Sequence, residues 1–399
     1  MVTALPRTVW VLGLASLFMD MSSELVHSLL PVFMVTVLGT SMMTVGLIEG
    51  VAEATASVTK VFSGALSDYV GKRKGLLLAG YGLAALSKPM FGLATSASWV
   101  FVARFIDRIG KGIRGAPRDA LVADATLPLL RGAAYGLRQA LDSVGAFLGP
   151  LLAVLFMLLL DGDIQAVMWI AVIPALVTVL LLAFYVREPP RAAAPAANRN
   201  PLSRSALSEL PLQYWLVVLL GALFTLARFS EAFLVLRAQD LGMALALVPV
   251  IMIVMNICYA LAAYPAGAAA DRYRPASLLQ LGLWLLIGAD LVLAAAGSVM
   301  AAMLGAALWG VHMAFTQGLL NKLVADTAPA LLRGTAFGFF NLVTGLSLLL
   351  ANLIAGGLWD RYGPGACFVA GALMTLATAL LLWGYSLYQR RQSVASFDL

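Results

Sequence analysis

The chain divides into twelve stretches, each long and apolar enough to cross a lipid bilayer once, and that pattern leaves few folds open. A spanning helix needs about 20 mostly apolar residues. Such stretches lie near 9–37, 44–68, 75–94, 98–120, 133–160, 164–186, 212–236, 244–270, 276–296, 299–322, 334–358 and 365–388. Only helices and closed barrels satisfy backbone polar groups in lipid, and these runs are of helix length, not short alternating strands. Composition agrees: 61% of the 399 residues are hydrophobic and 12% charged, against about 45–50% and 25% in soluble domains. A soluble enzyme, a nucleic-acid binder and a disordered chain are thereby excluded. The pI of 9.4 is read as basic loops facing anionic lipid, with membrane lipid rather than nucleic acid as partner.

Orientation follows from the loops. With the N-terminus placed inside, 16 Lys and Arg residues fall on inside segments; only Arg237 and Arg361 fall outside. This asymmetry predicts both termini in the cytoplasm. The first apolar run is too long for a signal peptide and no small-residue cleavage site follows it, so it is expected to remain as the first membrane helix. Residues 187–211, opening Arg187-Glu188-Pro189-Pro190, are the longest polar interruption and fall after six helices. They read as a cytoplasmic linker between an N-terminal bundle, 1–186, and a C-terminal bundle, 212–399.

The halves echo each other. Leu121-Val122-Ala123-Asp124 begins a run ending Leu130-Arg131-Gly132, and Leu323-Val324-Ala325-Asp326 begins one ending Leu332-Arg333-Gly334, an offset of 202 residues. Gly64-x3-Asp68 is echoed by Gly267-x3-Asp271 at an offset of 203. Chance apolar similarity would not hold Asp, Arg and Gly in register, so the chain is a six-plus-six parallel repeat.

The loop after helix two reads Gly64-Ala65-Leu66-Ser67-Asp68-Tyr69-Val70-Gly71-Lys72-Arg73-Lys74. A carboxylate near a helix C-terminus needs a compensating partner, which suits a latch that opens: Gly64, Asp68, Gly71, Lys72 and Arg73. Here the chain resembles the major facilitator superfamily, whose signature loop this run matches with Tyr69 where Arg is usual. The resemblance covers the whole chain. It implies an all-α membrane protein of 12 transmembrane helices in two pseudo-symmetric six-helix bundles, monomeric, and placed in the bacterial inner membrane. Helix four carries Arg104-Phe105-Ile106-Asp107-Arg108-Ile109-Gly110, similar to the motif whose arginine is implicated in proton coupling in drug/proton antiporters. Asp107 and Arg108 stand where Gln and Gly are usual. Gly145-x3-Gly149-Pro150 in helix five resembles the antiporter motif, without its trailing Gly pair, and favours export over uptake; plain helix packing is the alternative.

Charges inside spanning helices are site candidates because each is costly in lipid. Asp20, Glu24 and His27 share one face of helix one, and Glu49, Glu53 and Lys60 one face of helix two. Helix four presents Arg104, Asp107, Lys111, Arg114 and Arg118; helix five adds Arg138 and Asp142. These faces must line a watery cavity or pair together. The second half holds fewer charges: Arg228, Glu231, Asp290 and the polar Asn256, Tyr259, His312, Gln317, Asn321 and Asn341. Coupling chemistry is therefore expected in the first half. A carboxylate that gains and loses an Arg partner can take up and release a proton. Asp20, Glu24, Glu53 and Asp142 are the candidates, with Arg104 as modulating cation. His27, Glu49, Asp107, Lys111, Arg114, Arg138, Arg228, Glu231, Asn256, His312, Gln317 and Asn341 are expected to line the substrate cavity, and Arg118 to form a gate or loop salt bridge at the cytoplasmic end. Lys88, before Pro89, reads equally as the end of a water pocket or as a structural pair.

The two cysteines, Cys258 and Cys367, sit in apolar runs without metal-ligand spacing, and scattered Met reads as packing. No cofactor, metal site, catalytic set or phosphate loop is expected. The expected function is proton-coupled export of a small polar or amphiphilic solute. The helix-four cations suit an anion or zwitterion, the acids of helices one and two a cation. Proton-coupled uptake is the alternative within transport, and a non-transporting sensor the alternative outside it.

Overall fold

The computed structural model describes residues 5–70, 73–127, 130–186, 188, 210–270, 273, 275–329 and 332–395. Fifteen α-helices in these residues make twelve passes. The first half holds α1 (Arg7–His27), α2 (Leu30–Thr36), α3 (Met42–Val70), α4 (Arg73–Gly92), α5 (Ala97–Asp124), α6 (Arg131–Leu159), α7 (Ile164–Ile170) and α8 (Val172–Tyr185). The second holds α9 (Leu212–Ala227), α10 (Ala232–Asp240), α11 (Val250–Ala270), α12 (Pro275–Ala294), α13 (Val299–Thr327), α14 (Arg333–Tyr362) and α15 (Pro364–Ala395). Pairs α1/α2, α7/α8 and α9/α10 are single passes with a break. Among the described residues, nine passes are long and apolar enough to cross a membrane by themselves. The other three are α3, α4 and α5. Charge disqualifies α3 and α5 on composition; they are held by the charges they share inside the bundle.

The repeat is structural as well as sequential. Ser96 caps α5 by accepting the Trp99 N–H at 3.3 Å, and Ser298 caps α13 by accepting the Ala301 N–H at 3.3 Å. These N-caps are 202 residues apart. Pass one breaks at 28–29 and pass seven at 228–231, so Ser28 and Ser230 obey the same offset. Gly80 and Gly282 obey it too. A Cβ at Gly80 would lie 2.8 Å from the Gly110 carbonyl oxygen, and at Gly282, 2.5 Å from Thr316 Cγ2. Both glycines let passes three and nine close onto passes four and ten.

The two ends of the molecule are packed differently. At the end distant from the termini, one continuous core joins the halves, from Leu25, Phe33 and Met157 to Phe233, Trp309 and Trp359. At the end near the termini there are two cores, one per half: Val9, Leu77 and Leu121 in the first, Tyr214, Leu279 and Val324 in the second. The distant end is also latched. Asp360, at the end of α14, accepts the Met42 and Met43 N–H groups at 2.9 and 2.8 Å. A carboxylate from one half thus caps the helix of the other, where unpaired N–H groups and the helix dipole favour it.

Candidate functional site

Helix α5 is the axis of the site. Its sequence repeats charge every three to four residues, so one face carries the charges into the bundle. Gly112 lets that face approach α3: a Cβ there would lie 2.5 Å from Thr59 Cβ and 2.9 Å from the Ala56 carbonyl oxygen. Gly110 does the same toward α4, where a Cβ would lie 2.5 Å from the Gly80 carbonyl oxygen.

Buried ion pairs bind α5 to its neighbours. Arg104 grips Glu49 of α3 with two contacts, Nη2–Oε2 at 2.5 Å and Nε–Oε1 at 3.2 Å; this bidentate geometry fixes both side chains. The same guanidinium also contacts His27 Nε2. Arg108 Nη2 sits 3.2 Å from Glu53 Oε1 and 3.3 Å from His27 Nε2. Arg114 lies 3.6 Å from Asp20 and 4.5 Å over the Tyr81 ring. Arg118 donates to Ser16 Oγ at 2.9 Å and lies 3.9 Å from Asp142, which Arg138 meets at 2.5 Å.

Two cavities lie on this network. One, of about 520 Å³, is lined by Asp20, Glu24, Glu53, Lys60, Lys111, Arg114, Arg118, Asp142 and Asn341 among others. The other, of about 360 Å³, is lined by Glu24, His27, Glu49, Glu53, Arg104, Arg108 and Lys111 from the first half. From the second half it takes Phe224, Arg228, Phe229 and Glu231. Glu24, Glu53 and Lys111 belong to both. Among the described residues the Lys60 and Lys111 side chains make no hydrogen bond or ion pair, and the Glu24 carboxylate has His27 alone, at 3.7 Å. Both lysines are exposed, so the cavity communicates with solvent while its far end is sealed.

The helix-five glycines seat the acids of helix one. A Cβ at Gly145 would lie 2.4 Å from the Leu17 carbonyl oxygen and 3.2 Å from Asp20 Cβ. At Gly149 it would lie 2.6 Å from Glu24 Cβ. Pro150, buried, follows inside α6. The motif is therefore the packing surface of α6 on α1, directly behind the two carboxylates.

Several expected cavity residues stand elsewhere. Asp107 turns away from both cavities into a buried pair, accepting from Lys88 Nζ at 2.8 Å, while the same ammonium donates to Ser23 Oγ at 3.0 Å. Lys88 is thus a structural pair. His312 is fully buried, with Nδ1 2.8 Å from the Gly282 carbonyl oxygen. Asn256 lies outside the lining of both cavities; it donates to the Ala146 carbonyl at 3.4 Å and ties α11 to α6. Arg138 stands behind Asp142 instead of in the lining. The side chains of Gln317, Gly64 and Asp68 and all of Gly71 and Lys72 lie outside the described residues. Of the latch, Arg73 is buried at the head of α4, with Nη1 2.8 Å from Asp124 at the foot of α5 and its N–H donating to Glu188.

Sequence reasoning passed over Arg108 and the aromatic pair Phe224 and Phe229. Arg108 was legible, since 104, 108 and 111 recur at i, i+4 and i+7. The aromatics were not, because their face toward the first half is set by the break after α9.

Two six-pass bundles around a charged central cavity are the architecture of a membrane transporter. The chain belongs to the Major Facilitator Superfamily, whose family model matches residues 12–254 and 217–396. It is 34% identical over 95% of its length to an MFS-type transporter of Methanocaldococcus jannaschii, MJ1317, covering 94% of that protein. It is 31% identical to the multidrug resistance protein MdtH of Photorhabdus laumondii, over 36% of this chain and 35% of that one. In fold it is similar to the nucleoside transporter NupG, with a TM-score of 0.79, 14% identity and coverage of 94% of this chain and 99% of the other. A POT family transporter superposes with a TM-score of 0.81 at 14% identity, over 97% of this chain and 99% of that one.

Proposed function

We propose that the chain exports a small polar or amphiphilic organic solute in exchange for protons, by alternating access. Residues 1–186 and 212–399 are the rocking units and 187–211 the strap between them. The observation that carries the reading is the asymmetry of the cores: one shared core beyond the cavity, two separate cores on the side of the termini. Rocking one half against the other would split the shared core and join the separate ones, moving access to the cavity across the membrane. With both termini cytoplasmic, as the loop charges favour, the described state is open to the cytoplasm, in a monomer in the inner membrane.

Coupling belongs to the first half. Glu24 and Glu53 line both cavities, and Glu53 is held by Arg108. A proton and a cationic group of a solute would each displace Arg108 from the same Glu53 carboxylate, so binding of one would exclude the other, which is antiport. Asp20 and Asp142 stand in the same relation to Arg114, Arg118 and Arg138, while Arg104 positions Glu49 and His27. The partial similarity to MdtH supports the export direction.

The test uses purified protein in liposomes with a trapped pH dye and no starting gradient, and pools of amphiphilic cations, organic anions and zwitterions added outside. An alkaline shift in the lumen supports exchange. An acid shift means co-entry and replaces export with uptake. Glu24→Gln and Glu53→Gln are expected to abolish the proton-linked signal; unchanged pH dependence in both variants refutes the coupling assignment.

A further inference from the structure

We propose that Asp290 is a second proton-binding site, in the C-terminal half, closed off from the central cavity by the ring of Phe229. Asp290 lies near the end of α12, is 0% exposed, and both its carboxyl oxygens are without a hydrogen-bond partner among the described residues. An ionised carboxylate in such a place is strongly unfavourable unless paired, and an intramembrane ionisable group without a structural partner marks a functional site.

The repeat sharpens the contrast. Lys88 and Asp107 occupy the positions 202 residues before Asp290 and Trp309. The first half fills this place with a salt bridge of 2.8 Å. The second half puts a carboxylate in the lysine's place and an indole in the carboxylate's place, and the indole Nε1 is itself buried without a hydrogen-bond partner among the described residues. Asp290 is therefore buried without the counter-ion that the pair in the first half has, among the described residues.

Every packed element has been drawn away from it. On α13, His312 directs Nδ1 to the Gly282 carbonyl, and its Nε2 is buried without a hydrogen-bond partner among the described residues. On α15, the Cys367 thiol donates to the Pro364 carbonyl. On α10, Arg237 gives its guanidinium to Leu293 O, Ala296 O and Asp240. Arg228 and Glu231, at the break between α9 and α10, pair with each other at 3.0 Å. Helix α11 has no charged residue.

The way in is set by one glycine. A Cβ at Gly371 of α15 would lie 2.8 Å from Asp290 Oδ2 and 3.1 Å from Phe229 Cε1. The carboxyl and the ring thus meet at the same small gap, and Phe229 also lines the 360 Å³ cavity. Its backbone lies in the non-helical break, and its ring packs against Phe233, Trp309 and Phe368, which hold it over the gap. Binding is the addition of one proton to one carboxylate oxygen when the ring moves aside.

The test uses the full chain in liposomes and dicyclohexylcarbodiimide, an apolar reagent for protonated carboxyls. The carboxyl proton passes to a reagent nitrogen, the oxygen bonds the central carbon, and an acyl shift leaves a stable N-acylurea with nothing expelled. Peptide mass mapping is expected to find the adduct on Asp290, lost in Asp290→Asn, suppressed in alkaline buffer and formed several-fold faster in Phe229→Ala. No adduct at Asp290, or equal rates in the parent and Phe229→Ala, overturns the proposal. In transport, Asp290→Asn is expected to retain solute exchange without a gradient. Its gradient-driven accumulation should fall about fifty-fold at about 100 mV, the share of one charge. Accumulation at the parent level, or loss of exchange together with accumulation, overturns it. The proposal uses the proton-exchange reading for this transport arm alone: an adduct with the stated Phe229 dependence in a protein that moves no protons sinks exchange and leaves the site standing.

Discussion

Replacing Lys88 by Met isolates what a buried ion pair does in this fold. Lys88 is 0% exposed and Asp107 3%, and their contact is 2.8 Å. At an effective dielectric of about 20, that separation corresponds to about 6 kcal/mol of attraction, and the 3.9 Å contact of Asp107 with Arg108 to about 4. Much of both is offset by desolvation. Removing one partner of a buried pair typically costs about 3–5 kcal/mol, because the other charge is left uncompensated. Arg108 remains beside Asp107 in Lys88→Met, which places the expected loss at the lower end, about 3 kcal/mol. Lys88→Met with Asp107→Leu removes both charges and should recover most of it, since apolar replacements of a buried pair are often neutral. Unfolding titrations in mixed micelles, followed by circular dichroism, measure both variants. A Met variant as stable as the parent, or a double variant no better than the single, refutes the reasoning.

Two further outcomes follow from the packing. Gly149→Val is expected to abolish transport and lower the unfolding midpoint, because its Cβ would meet Glu24 Cβ at 2.6 Å, whereas Gly82→Ala, with nothing within 4 Å, should be neutral or stabilise by up to about 1 kcal/mol in the same titration. Asp360→Ala removes the acceptor for two N–H groups of α3 and should weaken closure of that end by about 0.5–2 kcal/mol; spin labels on Thr44 and Gly357 should then report longer separations, and an unchanged distance distribution would show that the cap does not hold the end shut.

The charged helices show how far local reading reaches. The Asp20, Glu24 and His27 face of α1 and the Glu49 and Glu53 face of α3 were legible from spacing alone, because a helix turns those positions to one side and lipid forbids them outward. Their partners were not. Arg104 pairs with Glu49 and with none of Asp20, Glu24, Glu53 and Asp142 among the described residues, and Asp107 leaves the stripe for Lys88. Periodicity orders residues on one helix and is silent about which neighbour lies at which height. In the second half, spacing is equally silent about partners: His312 Nδ1 meets the Gly282 carbonyl while its Nε2 has no hydrogen-bond partner among the described residues, and Asn256 reaches the Ala146 carbonyl of the other half.

What sequence alone determined is whatever obeys a one-dimensional rule. Twelve passes follow from the length of apolar runs, helical structure from the demand that every backbone group be bonded in lipid, and the two halves from an offset of 202 residues that also locates two serine caps and two helix breaks. Only the tertiary structure decided what depends on how helices meet. It closed one end through Asp360, split the core at the other, put glycines behind Asp20 and Glu24, and left Asp290 buried without a hydrogen-bond partner among the described residues. The physical reason is that these features are distances between residues far apart in the chain, set by side-chain volume and ion pairing across passes, and no spacing along one strand of sequence encodes them.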